Sequence, residues 1–388
     1  MTPYRSPLLL SLALFFAGLG AAGQFAKVGV IFDYVSAMYT GASVTWLGLL
    51  VSGVGLVGLL FGSTAGIILT RMGPRTVIVV ALLAGSALSF LECLTLSLPL
   101  FLSLRFLEGV SHLAIVVCAP VIIAEQLSGK DRDFGMTLWS TFFAVGFAFM
   151  AWAGRPLVET YGISSLYAAH GIYMAAMALF MLLLLPKDRV QPQALLSFTD
   201  IVRQHGEIYA SPRIAAPALG FMFYTMLYVS LLSLLPPMMG EYQAFVGTAV
   251  PLASIAASLS LGSYLIARYT GVLIVQGGFA LAAFSAIMMW LGWDNAPVAV
   301  GGALLLSAAV GLVQSASFAS IGQLNEAPQD QARAAGAIAQ LGNLGTFLGT
   351  PMLAALIANY DINGVAAFAI LLSVGGIAMH AWLKIRRG

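Results

Sequence analysis

Charge is what this chain has least of. Only 8% of its 388 residues are Asp, Glu, Lys or Arg, too few to cover a globule of that size with a solvated surface. A mean hydropathy of +0.95 makes lipid the main solvent instead. Cysteine is nearly absent, and Cys93 and Cys118 both fall in long apolar runs, which argues against a disulfide framework or a zinc site. The Gly-x-x-x-x-Gly-Lys-[Ser/Thr] loop of ATP-driven engines and the His-Glu-x-x-His pattern of metalloproteases are both missing. Neither an enzyme nor a cofactor is therefore expected. Met222 and Met226 form a soft pair, but no His or Met follows between Phe245 and Ala267 to complete a Cu(I) site, so no metal is expected. A net charge of +2 gives no basic surface for nucleic acid.

What the chain does have is long apolar runs. A bilayer core about 30 Å thick needs roughly 20 apolar residues per helix. The sequence divides into twelve such stretches, near residues 8–32, 44–69, 76–97, 100–126, 135–157, 163–186, 213–235, 245–267, 272–292, 297–322, 334–358 and 363–383. Runs such as Leu56 to Phe61 are apolar on every side, which excludes the alternation of a β-barrel. The first run continues through Ile31 and is too long for a cleaved secretory signal.

Basic residues between the runs fall on alternate sides. Arg5, Arg71, Arg75, Lys130, Arg132, Lys187, Arg189, Arg203, Arg213, Arg268, Arg333, Lys384, Arg386 and Arg387 collect on one side and Arg155 on the other. That bias puts both termini in the cytoplasm, with a bacterial inner membrane as the expected location and lipids as the expected surroundings. One long polar interruption divides the spans six and six. It gives an N-terminal bundle over 1–186, a cytoplasmic linker over 187–212 and a C-terminal bundle over 213–388. Arg71 and Arg268 correspond at an offset near 200 residues, as do Arg132 to Gly135 and Arg333 to Gly336, which points to two parallel repeats.

Charges inside an apolar helix cost at least about 2.5 kcal/mol each and are functional candidates by default. Arg105, Glu108 and His112 share one face of the fourth helix, with Gly109 leaving room beside them. The acid and the imidazole could carry a proton. Gln24 and Lys27 lie one turn apart on the first helix, and Lys27 could meet an anion or pair with Glu108. Glu92, near the end of the third run, reads as an interfacial residue. The second half replaces charge with amides and phenols, among them Tyr224, Tyr228, Gln276, Gln314, Gln340 and Asn343. Gly53, Gly55, Gly58 and Gly62, and likewise Gly342, Gly345, Gly349 and Pro351, permit close packing and bending of the second and eleventh helices.

Gly66, Arg71, Gly73 and Arg75, in the gap after the second run, resemble the loop between helices 2 and 3 of the major facilitator superfamily, with Thr70 where that family usually has aspartate. Arg105, Gly109 and Pro120 are similar to its helix 4 pattern. The resemblance covers essentially the whole chain. It implies an all-α membrane protein of two pseudo-symmetric six-helix bundles, with the loop residues gating alternating access. Arg105 would then join Glu108 and His112 in proton coupling. The cavity would be lined by Gln24, Lys27 and Arg105 on one side and by Tyr224, Gln314 and Asn343 on the other. The expected activity is proton-coupled transport of a small organic solute, anionic or zwitterionic, by a monomer. A multidrug/proton antiporter for lipophilic compounds is the alternative, although the fifth helix has Gly146 and Gly154 in place of that group's Gly-Pro pair.

Overall fold

A backbone in lipid must satisfy its own hydrogen bonds, and in this chain helices do so. The computed structural model describes residues 6–62, 72–188 and 198–387. The first bundle contains α1 (Pro7–Gly29), α2 (Phe32–Met38), α3 (Val44–Ser52), α4 (Gly55–Phe61), α5 (Pro74–Leu91), α6 (Leu98–Gln126), α7 (Gly129–Ser140), α8 (Phe142–Phe149), α9 (Arg155–Tyr161) and α10 (Ile163–Leu184). After the linker helix α11 (Phe198–Ala210) come α12 (Ala215–Leu234), α13 (Gln243–Ala257), α14 (Ser263–Ile266), α15 (Gly271–Leu291), α16 (Ala296–Leu324) and α17 (Pro328–Arg387).

Among the described residues, nine helices are long and apolar enough to cross a bilayer, and two bent pairs raise that to eleven. The count falls one short of the twelve expected because α17 covers the last two expected spans, and the end of the expected second span, residues 63–69, lies outside the described residues. The 60 residues of α17 would reach about 90 Å if straight. Instead Asp361 adopts φ 47°, and a Cβ on Gly364 would lie 2.4 Å from the carbonyl of Leu356, eight residues back. The chain therefore turns back on itself there.

The expected second span is α3 and α4, bent by 66° where Gly53 and Val54 interrupt the helix. The expected fifth and eighth spans each loosen into a π-helical turn, at Met150–Gly154 and Ser258–Gly262. Such turns release backbone geometry from the regular ladder and allow a span to flex.

Contacts between bundles concentrate where glycine lets backbones approach. At the end bearing Asp33, a Cβ on Gly29 of α1 would lie 2.5 Å from Ser233 Oγ of α12, and one on Gly48 of α3 would lie 2.6 Å from Pro351 Cα of α17. Gly247 of α13 meets Ala151 in the same way at 3.1 Å. Arg155 fastens this end, donating to both oxygens of Asp33 at 2.9 and 2.8 Å and to the Gln243 amide oxygen at 2.7 Å. At the end bearing Asp188, Gln340 joins three elements. Its Nε2 donates to the Leu59 carbonyl at 3.1 Å, and its Oε1 accepts from the Tyr209 hydroxyl at 2.8 Å. Burial pushes the Tyr209 phenol up to about 12, so it remains a donor at neutral pH.

Candidate functional site

The interior of the first bundle holds four ionic side chains, Lys27, Glu92, Arg105 and Glu108, each with its side chain fully shielded from solvent. Two cations face two carboxylates, so the cluster is neutral. Lys27 Nζ, from α1, contacts Glu92, donates to Glu108 Oε1 at 2.6 Å and donates to Ser89 Oγ at 2.6 Å. Two hydrogen bonds and one ion pair thus hold the ammonium. Arg105 pairs with Glu108 one turn along α6, reaches Glu92 Oε1 at 3.4 Å and donates through Nε to the Leu50 carbonyl at 2.7 Å. Another of its nitrogens donates to the carbonyl of Gln24. Leu50 lies just before the α3–α4 break, and Gly109 lets α6 press against that break, where a Cβ would come within 2.5 Å of the Val54 carbonyl. The guanidinium therefore ties α1, the break and α6 together, using a rigid fork that lysine lacks.

A buried charge this far from water is tolerable only when paired, and removing one partner of such a pair typically costs about 3–5 kcal/mol. Ser89 extends the cluster to α10. His170 Nε2 lies 2.9 Å from the Gly20 carbonyl and donates to it, leaving Nδ1 of the neutral ring to accept from the Ser89 hydroxyl at 2.7 Å. That orientation turns a Ser89 lone pair towards Lys27. Tyr167, one turn before His170, places its ring 5.5 Å from Lys27 Nζ.

Of the residues expected to act together, Gln24, Lys27, Arg105 and Glu108 do gather here. Gln24 Nε2 donates to Ser111 Oγ at 2.9 Å, and Ser111 donates onward to Ala81 O at 2.7 Å. His112 lies on the same face but bonds elsewhere, donating through Nδ1 to the Ala21 carbonyl at 3.0 Å and packing T-shaped with Phe25, ring centroids 4.9 Å apart. Glu92 departs from the interfacial reading. It is the C-cap of α5 and turns inward onto Lys27 and Arg105. Ser89, Tyr167 and His170 were not anticipated, although a histidine inside the apolar run 163–186 is a signal in its own right.

The second bundle has no such cluster. Among the described residues, every buried Asp, Glu, Lys or Arg belongs to the first bundle. Tyr224 is buried and stacks on Tyr228 with centroids 5.3 Å apart, while Phe221 sits 5.0 Å away on the other side. Gln314 is half-buried on α16. Asn343 lies in the seam between bundles, donating to Ala339 O at 2.7 Å while its side chain covers Gly58, where a Cβ would come within 2.2 Å.

The loop residues divide by what the structure describes. Gly66 and Arg71 lie outside the described residues. Gly73 adopts φ 82°, a conformation suited to glycine, and caps α5. Asp188, from beyond the end of α10, accepts from the backbone nitrogens of Arg75 and Thr76 at 2.9 and 2.8 Å. It also accepts from the Thr76 hydroxyl at 2.6 Å. A carboxylate at a helix N-terminus is favoured by the free N–H groups and the helix dipole. A negative charge thus stands beside this loop although Thr70 replaces the usual aspartate.

Comparison with known proteins agrees with this architecture. A gallate transporter of Pseudomonas putida is 30% identical over 140 residues, covering 36% of this chain and 31% of that protein. A putative niacin/nicotinamide transporter of Bacillus subtilis strain 168 is 25% identical over 170 residues, covering 42% of this chain and 40% of that protein. The alignments thus span well under half of each relative. The crystal structure of a D-xylose-proton symporter superposes over 97% of both chains with a TM-score of 0.78 at 14% identity, a likeness of fold alone. The Major Facilitator Superfamily profile matches residues 8–350, and the chain belongs to that family of integral membrane proteins.

Proposed function

We propose that this protein is a proton-coupled transporter of a small organic acid. The observation that carries this reading is the neutral, mutually paired cluster of Lys27, Glu92, Arg105 and Glu108. An anion entering such a site finds no free positive charge. Protonating Glu108 or Glu92 removes one negative charge and frees a donor on Lys27 or Arg105, so a proton and a monoanion restore neutrality only together. The names of the two curated relatives, one for gallate and one, putative, for niacin or nicotinamide, support a small organic solute as cargo, and two of the three named compounds are acids.

The cluster has a route to the rest of the molecule through α1. Lys27 lies two residues before Gly29, the point at which α1 meets Ser233 of the other bundle. Loss of the Lys27–Glu108 bond would loosen α1 at that contact and shift the balance between states open to either side. In this reading Arg105, Glu108 and His112 handle the proton. Gln24, Lys27, Arg105, Tyr224, Gln314 and Asn343 bind substrate, and Gly66, Arg71, Gly73 and Arg75 gate. The protein works as a monomer in a bacterial inner membrane with both termini cytoplasmic, its bundles spanning 1–186 and 213–388.

The test is proton flux into proteoliposomes carrying an internal pH dye, with organic anions, zwitterions and lipophilic cations added outside in turn. Inward proton movement triggered by an anion is expected. Proton exit triggered by lipophilic cations would replace this reading with drug/proton antiport.

A further inference from the structure

We infer that Glu92 is the residue through which the coupled proton enters from the outer solution, and that Glu108 holds it deeper in the membrane. This rests on the proton-coupled reading above, in which the end bearing Asp33 faces outward. Glu92 is the C-cap of α5, and the chain surfaces directly after it, with Leu94, Thr95 and Ser97 exposed. Glu108 comes ten residues after Leu98, the first residue of α6, and so about 15 Å along a helix that starts at the same end. The two carboxylates therefore differ in depth while sharing the same two cations, Lys27 and Arg105.

The cover over Glu92 comes from the outer segments. Half-buried Tyr39 follows α2 and donates its hydroxyl to the Leu96 carbonyl at 3.1 Å. Its ring lies 6.3 Å from that of Phe101, which meets Tyr167 of α10 at 6.0 Å. Burial and then the Glu92 carboxylate push the Tyr39 phenol up, so the carboxylate stands within electrostatic reach of this cover. Cys93, also half-buried, follows Glu92 in the chain and reaches the Ser164 carbonyl at 3.5 Å. His170, bonded to Ser89, completes the titratable groups around the cluster. In the other direction polar side chains continue past Glu108. Gln24 and Ser111 sit one turn deeper than Lys27 and Glu108 and are bonded at 2.9 Å, and Gln24 Oε1 is buried without a partner. From the outer end inward the order is thus Glu92, the two cations, Glu108 and this amide.

A proton from the outer solution neutralises Glu92 and leaves Lys27 and Arg105 to Glu108 alone. In one concerted step Lys27 Nζ then gives an N–H proton to Glu108 Oε1, its partner at 2.6 Å, and takes the proton of Glu92. Glu92 returns to a carboxylate, Glu108 becomes the acid, and Lys27 ends as the ammonium it began as. Because both carboxylates draw on the same cations, a proton on one strengthens the cations' hold on the other. The pair therefore carries one proton at a time.

Uptake of gallate and of niacin into right-side-out and inside-out membrane vesicles, with the pH of each face set independently, tests this. In Glu92→Asp the shorter side chain retreats from both cations, which favours its protonated form. The midpoint for pH on the outer face should therefore rise by about 0.5–1 unit, a roughly three- to tenfold change in proton affinity, while the inner midpoint stays in place. A cationic methanethiosulfonate attached to Cys93 from the outer face should move the same outer midpoint downward, by adding a positive charge beside Glu92. That second perturbation uses the unmutated chain and stands even if Glu92→Asp does not fold. An outer midpoint that neither perturbation moves, or an inner midpoint that moves equally, would overturn the role of Glu92 and leave proton coupling intact. Absence of pH-dependent uptake of either acid would overturn the coupled reading itself.

Discussion

The two bundles repeat one architecture with opposite chemistry inside. The first buries two cations and two carboxylates in one network, whereas the second buries phenyl rings, phenols and hydroxyls and keeps its described charged side chains at or near its surface. The helices superpose in pattern because lipid imposes the same demand on both bundles. Under the proposed function, only the first interior changes charge during a transport cycle, which accounts for the divergence. On that proposal coupling and recognition are separated, the ionic bundle setting when the cycle moves and the second bundle what is carried.

The largest break in this contrast comes from unbalancing the charges. Lys27→Met or Glu108→Gln alone should destabilise the protein by about 3–5 kcal/mol, since each leaves a buried charge without its partner. The double variant removes one charge of each sign and should recover much of that loss while remaining unable to accumulate substrate. A double-mutant cycle on thermal unfolding in detergent measures this, and strictly additive losses would show that the pair is not acting as a unit.

A smaller effect is expected along the branch to α10. Ser89→Ala removes the buried hydrogen bonds to Lys27 and His170, and His170→Gln disturbs those to Ser89 and Gly20, so each should cost about 1–3 kcal/mol. They should also alter the pH profile of uptake, because Lys27 would lose the oxygen that holds it between Glu92 and Glu108. An unchanged profile with lowered stability would reduce His170 to a packing role.

In the second bundle, Tyr224→Phe and Tyr228→Phe keep the rings and should change stability by no more than about 1 kcal/mol. Their effect should appear in substrate affinity rather than in the number of protons moved. A changed proton count in either variant would erase the division between bundles. Comparable in size but confined to stability, Asp188→Asn weakens the cap on α5 and should cost about 1 kcal/mol, read from the unfolding midpoint.

Much of this was legible in the sequence for a simple reason. Lys27, Arg105 and Glu108 interrupt apolar runs, and helical spacing alone puts Arg105 and Glu108 on one face. Spacing gives a face but not the neighbour across from it. That is why Glu92 read as interfacial from its place near the end of a run, although its side chain turns back onto Lys27 and Arg105. His112 was legible as a member of the Glu108 face, yet its bond goes to a backbone carbonyl of α1, which has no sequence signature. Asp188 reaches a cap 113 residues away in the chain, a distance no local pattern encodes. The bend at Gly53 was foreshadowed by the glycines of that run, whereas the contact of Leu50 with Arg105 beside it was not.

The most direct test of the central claim is the charge carried per cycle. In proteoliposomes with the membrane potential clamped by potassium and valinomycin, uptake of a monocarboxylate should follow the pH gradient, ignore the voltage and bring in one proton per anion. Glu108→Gln should abolish that accumulation. Voltage-driven uptake without protons, or pH-driven accumulation that survives Glu108→Gln, would contradict the account.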